Sequence, residues 1–152
     1  MFDLFKDGEE IDFGAIYFGF DQDTISPEAR QTIQQHADLM FEYPTLTMLI
    51  EGFADQTGNE IYNERLSRRR AWAVQQELVE MGVEPDRMFV RGRGEIIEPC
   101  ENEDDTGCAE HRKVISMRYT VFEMIFFEQD NPNLTEAQRE KLALNLDILH
   151  QH

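Results

Sequence analysis

A two-layer α/β sandwich of order β-α-β-α-β-β, followed by a C-terminal helical extension, is the fold this sequence predicts. Three observations carry it. Short strand-like apolar runs alternate with two segments whose apolar residues recur at helical spacing. Breakers bound those segments, Tyr43-Pro44 after the first and Gly82 after the second. The chain has 152 residues, the size of one domain with a single core. Helices alternating with strands pack on one face of a mixed sheet, joined by right-handed crossovers.

Each element has its own signal. Ile16-Tyr17-Phe18-Gly19-Phe20 reads as a short buried strand ending at Asp21. Ser26-Pro27-Glu28 opens the first helix, with Ser26 as N-cap and Pro27 in the first turn, where its missing N–H does no harm. Ala29, Ile33, Ala37 and Met40 form its buried stripe. Leu46 to Phe53 is the second strand. Asn59 to Met81 is a longer helix with Leu66, Ala71, Val74, Leu78 and Met81 on its inner face. Gly82 supplies its C-terminal stop. Met88-Phe89-Val90 is a third strand. Val114 to Val121 is a fourth, with Ile115, Met117, Tyr119 and Val121 on one face and Ser116, Arg118 and Thr120 on the other.

The ends differ from this central region. Residues 1–13, dense in Asp and Glu from Asp7 to Asp12, suit the end of a linker. Residues 122–152 read as an addition. Phe122, Met124, Ile125, Phe126 and Phe127 are apolar on both faces, so something must cover them. Thr135-Glu136-Ala137-Gln138 is a capping box that opens a helix through Leu142, Leu146 and Leu149. That helix either folds back to extend the core, or the apolar run meets a partner or a second copy, giving a homodimer through residues 122–152.

The formal net charge of −17 excludes a nucleic-acid partner, because affinity for phosphate backbones comes from neutralising their charge. The plain reading of the acidity is solubility or a salty habitat. No apolar run approaches the roughly 20 residues of a membrane span, and Met1 to Asp7 lacks the features of a signal peptide. The chain therefore reads as a piece of a longer secreted or membrane-anchored parent.

Cys100 and Cys108 bracket the polar loop ENEDDTG, which favours a local disulfide and an oxidising compartment. The rival, a zinc site of Cys100, Cys108 and His111, lacks a fourth ligand and the usual Cys-x-x-Cys spacing.

The stretch GFADQTGNEIYNERLSRRRA, Gly52 to Ala71, carries the candidate chemistry. Asp55 lies in the turn between a strand and a helix, and Arg70 lies on that helix. An acid and a base held on one rigid frame can grip a zwitterion such as an amino-acid centre. The plain alternatives are that Asp55 is a turn residue and that Arg70 is its internal partner. Arg68 and Arg69 read as solvated or paired with nearby acids.

The sequence resembles the OmpA-like domain family over about residues 14–121. Phe18-Gly19-Phe20-Asp21 matches a first strand ending in Phe-x-Phe-Asp. Gly52-Phe53-Ala54-Asp55-Gln56-Thr57-Gly58 matches Gly-His-Thr-Asp-x-x-Gly. Tyr62-Asn63, Leu66-Ser67 and Arg70-Ala71 match the helix, and Gly92-Arg93-Gly94-Glu95 matches a later Gly-x-Gly-Glu. Phe53-Ala54 depart from the family's His-Thr, and His111-Arg112-Lys113 from its Asn-Arg-Arg. The resemblance implies a non-catalytic peptidoglycan-binding module of the periplasm. In it Asp55 takes the ammonium and Arg70 the carboxylate of diaminopimelate in the stem peptide. Four further positions read as ligand contacts: Asn63 with a neutral amide, Asp21 at the cleft, the backbone near Gly58, and His111, which reads otherwise as a surface histidine. Such a module anchors a larger envelope protein to the wall. An adaptor or oligomerisation module on the same fold is the alternative. An enzyme is not expected, since no nucleophile–base pair or phosphate loop emerges, and no cofactor or metal is called for.

Overall fold

The computed structural model describes residues 11–119, together with 135, 136, 138–140, 142 and 143. The linker-like residues 1–10, the apolar run Phe122–Phe127 and the helix positions Leu146 and Leu149 lie outside the described residues. Ile11–Tyr119 forms one of two compact units of the chain.

Within Ile11–Tyr119 the predicted order is present, with one insertion. The elements are β1 (Ile16–Tyr17), α1 (Pro27–Glu42), β2 (Met48–Ala54), α2 (Glu60–Glu80), β3 (Met88–Glu95), the small strands β4 (Glu103–Asp104) and β5 (Gly107–Cys108), and β6 (Lys113–Arg118). The main sheet runs β1-β6-β2-β3. Only β2 and β3 are parallel, as a crossover through α2 requires, while β6 is antiparallel to both β1 and β2. The insertion is the β4–β5 hairpin, which sits inside the cysteine loop.

Local chemistry accounts for the helices. Ser26 accepts from the Ala29 N–H at 3.0 Å, and Pro27 starts α1. Asn59 caps α2 by accepting from Ile61 and Tyr62. Beyond Met81, Gly82 takes φ 102, and Val83 N–H reaches back to the Leu78 carbonyl at 3.0 Å, which closes the helix end. The predicted stripes are inside except at Met81, the half-buried C-cap of α2: Ile33, Ala37, Met40, Ala71, Val74 and Leu78 are fully buried. The larger of these, Ile33, Met40, Val74 and Leu78, stabilise by about 1.5–3 kcal/mol each where burial is complete.

The helices cover one face of the sheet. Gly52 and Gly92 let α2 lie on the backbone itself: a Cβ at Gly52 would stand 1.9 Å from the Ser67 carbonyl oxygen, and one at Gly92 would stand 2.8 Å from the Arg68 Cβ. Ser67 joins helix to sheet, donating to the Glu64 carbonyl and accepting from Gly94 N–H at 2.9 Å.

Several boundaries differ from expectation. β1 is two residues long rather than five, because Gly19–Gln22 turns sharply, with Asp21 at φ 51 and Gln22 N–H bonded to the Gly19 carbonyl. β3 runs on to Glu95 through a register shift opposite Gly52–Ala54 that pairs Ala54 with Glu95. In β6 the helix-facing positions are Val114 and Ser116, which pair with Gly52 and Ile50. Ile115 and Met117 therefore lie on the other face, with Met117 exposed. Phe13 is buried, and its carbonyl accepts from the ring of His36, so ordered core begins before residue 14.

In the second unit, Thr135 and Gln138 exchange the two bonds of the capping box. Thr135 N–H donates to Gln138 Oε1 at 2.7 Å, and Gln138 N–H donates to Thr135 Oγ1 at 3.3 Å.

Candidate ligand site at the β2–α2 turn

The turn after β2 is built from inside. Asp55 Oδ1 accepts from Thr57 N–H at 3.2 Å. Asn63, one turn into α2 and buried, donates through Nδ2 to the Asp55 and Thr57 carbonyls and to Glu95 Oε1 at 2.8 Å. The register shift in β3 delivers that glutamate. Asn63 thus braces the turn, and its amide N–H groups are occupied by the protein. The neutral amide contact expected of Asn63 would then fall to its side-chain oxygen. With Phe53 and Ala54 before it, the turn is held by the Thr57 N–H and by Asn63.

Arg70 is 1% exposed, and its guanidinium sits over the Phe18 ring. It donates to the carbonyls of Gln22 (Nε, 2.8 Å), Phe53 (Nη1, 3.0 Å) and Gly19 (Nη2, 3.2 Å). A guanidinium carries five N–H groups, so three bonds leave donor capacity on both terminal nitrogens. Burial lowers its pKa to about 10, with the charge of Arg112 acting in the same direction and those of Asp55, Asp23 and Asp21 opposing. Arg70 therefore stays cationic at neutral pH in a site that penalises an unpaired cation.

Asp55 is 6% exposed, and its ion-pair partner is Arg112 at 3.1 Å rather than Arg70. Arg112 is buried too and donates to the Phe18 and Thr106 carbonyls, both at 3.3 Å. The two side chains of the predicted clasp therefore form the buried floor of the site, not a surface pair. The reason is packing: Arg70 closes the β1–α1 turn from beneath, and Arg112 locks Asp55 to the strand-leading segment before β6. Counted as formal charges, Asp55, Arg70 and Arg112 sum to +1. Among the described residues no carboxylate forms a salt bridge with Arg70.

The remaining predicted positions spread around this floor. Asp21 is exposed and accepts from the Tyr62 hydroxyl at 2.5 Å, which raises the tyrosine pKa. Arg69 pairs with Asp23 at 2.8 Å across the same rim and stacks on Tyr62, as its reading as a paired base expected. Gly58 is exposed at φ 103, but the N–H groups of Ile61 and Tyr62 behind it are already taken by Asn59. That leaves less anion-holding capacity at the helix start than expected. His111 is buried in a short 3-10 turn, Ala109–His111, and is not a surface histidine. Cys100 and Cys108 form the predicted disulfide. Sequence reading missed Arg112, Glu95 and Gly107. Arg112 was visible only as the middle base of His111-Arg112-Lys113, and Glu95 only as the end of a motif with no assigned task.

Comparison with known proteins shows the family to which the chain belongs. The OmpA family profile matches residues 17–112. Outer membrane protein A of Bordetella avium is 36% identical over 98 residues, which span 64% of this chain and 50% of that protein. The peptidoglycan-associated lipoprotein of Agrobacterium fabrum is 33% identical over 67% of this chain and 58% of its own length. The chain thus spans half the first relative, and only 30% of the outer membrane porin F of Pseudomonas fluorescens. Among solved structures, the peptidoglycan-associated lipoprotein of Burkholderia pseudomallei superposes with a TM-score of 0.63 at 28% identity, covering 69% of this chain and 89% of that one. The C-terminal domain of Helicobacter pylori MotB gives 0.62 at 18% identity over 88% and 95%, a likeness of fold. Among the described residues no helix is long and apolar enough to cross a membrane.

Proposed function

The chain belongs to the OmpA family, and from that premise we propose that it binds the peptidoglycan stem peptide without catalysis and anchors a larger envelope protein to the wall. The ligand is the side-chain amino-acid centre of diaminopimelate. Its carboxylate meets the terminal N–H groups of Arg70, and its ammonium meets the Asp55 carboxylate.

One observation carries this reading. A desolvated guanidinium, held by carbonyls on three N–H groups, has no carboxylate salt-bridge partner among the described residues, in a site where Asp55, Arg70 and Arg112 sum to +1. An incoming carboxylate neutralises that excess. An ammonium beside Asp55 joins a carboxylate that still has acceptor capacity beyond Thr57 N–H and Arg112. Hydrogen bonds to charged groups are worth roughly 1.5–3 kcal/mol each. Many such sites on a polymer supply avidity. Relatives named for peptidoglycan association support the assignment, and a periplasmic location accords with it.

The test is a pull-down with diaminopimelate-containing sacculi. Asp55→Asn and Arg70→Lys are the variants of choice, because Arg70→Ala would also strip three carbonyls of their donor. Wild type is retained and both variants, checked for folding by circular dichroism, lose about tenfold or more, the worth of one such bond. Equal retention of all three removes the site.

The burial of Asp55 and Arg70 favours a second reading, an adaptor or oligomerisation module with weak or lost wall binding. A homodimer through residues 122–152 that ignores sacculi, seen by light scattering, would establish it.

A further inference from the structure

The cysteine loop does more than close on itself. Its hairpin pairs Glu103 with Cys108 and Asp104 with Gly107. Asp104 Oδ1 accepts from both the N–H and the hydroxyl of Thr106, at 2.7 and 2.6 Å, which fixes the turn. Gly107 and Cys108 are buried, whereas Glu103–Thr106 are exposed, so the hairpin is anchored by its second strand.

That strand lies against the candidate site. Gly107 has φ 92, and a Cβ there would stand 2.2 Å from Thr57 Oγ1, 2.8 Å from Asp55 Oδ2 and 3.2 Å from Asp55 Cγ. Its backbone therefore stands so near the Asp55 carboxylate that no side chain fits between them, and it acts as a wall. One nitrogen of Arg112, Nη1, donates both to Asp55 Oδ2 at 3.1 Å and to the Thr106 carbonyl at 3.3 Å. The hairpin thus borders the acid and holds the base that pairs with it.

We propose that the hairpin closed by Cys100–Cys108 is a positioning element for Asp55, with Gly107 as wall and Arg112 as tie, so that the closed disulfide sets the site's preference for a ligand ammonium. The inference rests on the reading of Asp55 as the ammonium-binding group. Arg70 is held from the other side, by Gly19, Gln22 and Phe53, and receives no bond from the hairpin. Opening the disulfide therefore loosens the ammonium half of the site and leaves the carboxylate half in place.

The experiment uses the full chain, oxidised or reduced with a phosphine, and Gly107→Ala with its disulfide intact. Titration calorimetry compares L-Ala-γ-D-Glu-meso-diaminopimelate with the analogue in which hydrogen replaces the side-chain ammonium. The oxidised chain prefers the zwitterion by about tenfold or more, the worth of one charge-assisted bond. Reduction or Gly107→Ala brings the two ligands to within about threefold, with the affinity for the desamino peptide unchanged. An undiminished preference after reduction overturns the proposal, and so does a parallel fall for both peptides, which marks general loosening. If the oxidised chain binds neither peptide, the function reading itself fails. The positioning role is then decided without ligand, by nuclear magnetic resonance of the Asp55 carboxyl carbon and the Arg112 side chain. Their displacement on reduction upholds it, and unchanged signals reject it.

Discussion

The carboxylate of Asp55 accepts from the guanidinium of Arg112 at 3.1 Å, across 57 positions of sequence, with both side chains more than nine-tenths buried. Arg70, on the helix that follows the turn, is satisfied instead by three carbonyls. Among the described residues the site therefore contains one closed ion pair and one cation held by carbonyls alone.

Breaking that closed pair from the arginine side leaves a buried carboxylate alone and releases the Phe18 and Thr106 carbonyls. Arg112→Ala is expected to lower unfolding stability by about 3–5 kcal/mol. Urea denaturation followed by tryptophan fluorescence checks it, and a loss below about 1 kcal/mol would mean that the pair is solvated rather than structural.

Asn63→Asp keeps the size but removes the Nδ2 donors to Asp55, Thr57 and Glu95, and sets a second carboxylate beside Glu95. The expected result is a stability loss of about 1–3 kcal/mol or more, the cost of leaving buried carbonyls unpaired, together with weaker retention on sacculi. Asn63→Asp combined with Glu95→Gln should recover part of the stability, because the like-charge repulsion is gone. A double-mutant cycle measures that recovery.

Gly52→Ala drives a methyl group into the Ser67 carbonyl, 1.9 Å from the new Cβ. Backbone cannot swing aside as a side-chain tip can, so α2 must lift from β2. Overpacking of this kind costs about 1–3 kcal/mol or more. A thermal melt indistinguishable from wild type would show that helix and sheet are not so closely seated.

Burial lowers the pKa of His36 below its ordinary value of 6.5, with the Phe13 and Gly14 backbone and Asp12 only partly offsetting the effect. The unfolded chain therefore binds a proton that the folded chain refuses. The contribution is fully present above pH 6.5 and is lost as pH falls through the folded value. Stability measured in urea should drop between pH 7.5 and about pH 5 more steeply for wild type than for His36→Gln. Equal slopes would mean that His36 does not titrate in this window.

Reducing Cys100–Cys108 removes the closure of a short loop and should cost about 2.5 kcal/mol if the stabilisation is loop entropy. Denaturation in the presence and absence of reductant reads this directly, and no difference would place the loop's order in the Arg112 and Gly107 contacts alone.

How much was legible depended on whether the signal is local. The caps at Ser26 and Thr135, the stop at Gly82, the helix stripes apart from the half-buried Met81, and the cysteine pairing are properties of neighbouring residues, and they stand in the structure as read. The length of β1 was misjudged because Phe18-Gly19-Phe20 is apolar enough for a strand, while Arg70 gathers the Gly19 and Gln22 carbonyls into a turn. The outward placing of Ile115 and Met117 was equally hidden, since alternation shows two faces without saying which one the helices cover.

The sequence by itself determined the element order, the helix ends and the disulfide, and it singled out Asp55 and Arg70 as the pair on which the proposed site rests. Only the tertiary structure decided that Asp55 is answered by Arg112, that Asn63 serves the turn, and that Gly107 walls the carboxylate. Those relationships join residues tens of positions apart, and side chains choose partners by the space and charge that the packed chain offers, which no local pattern records.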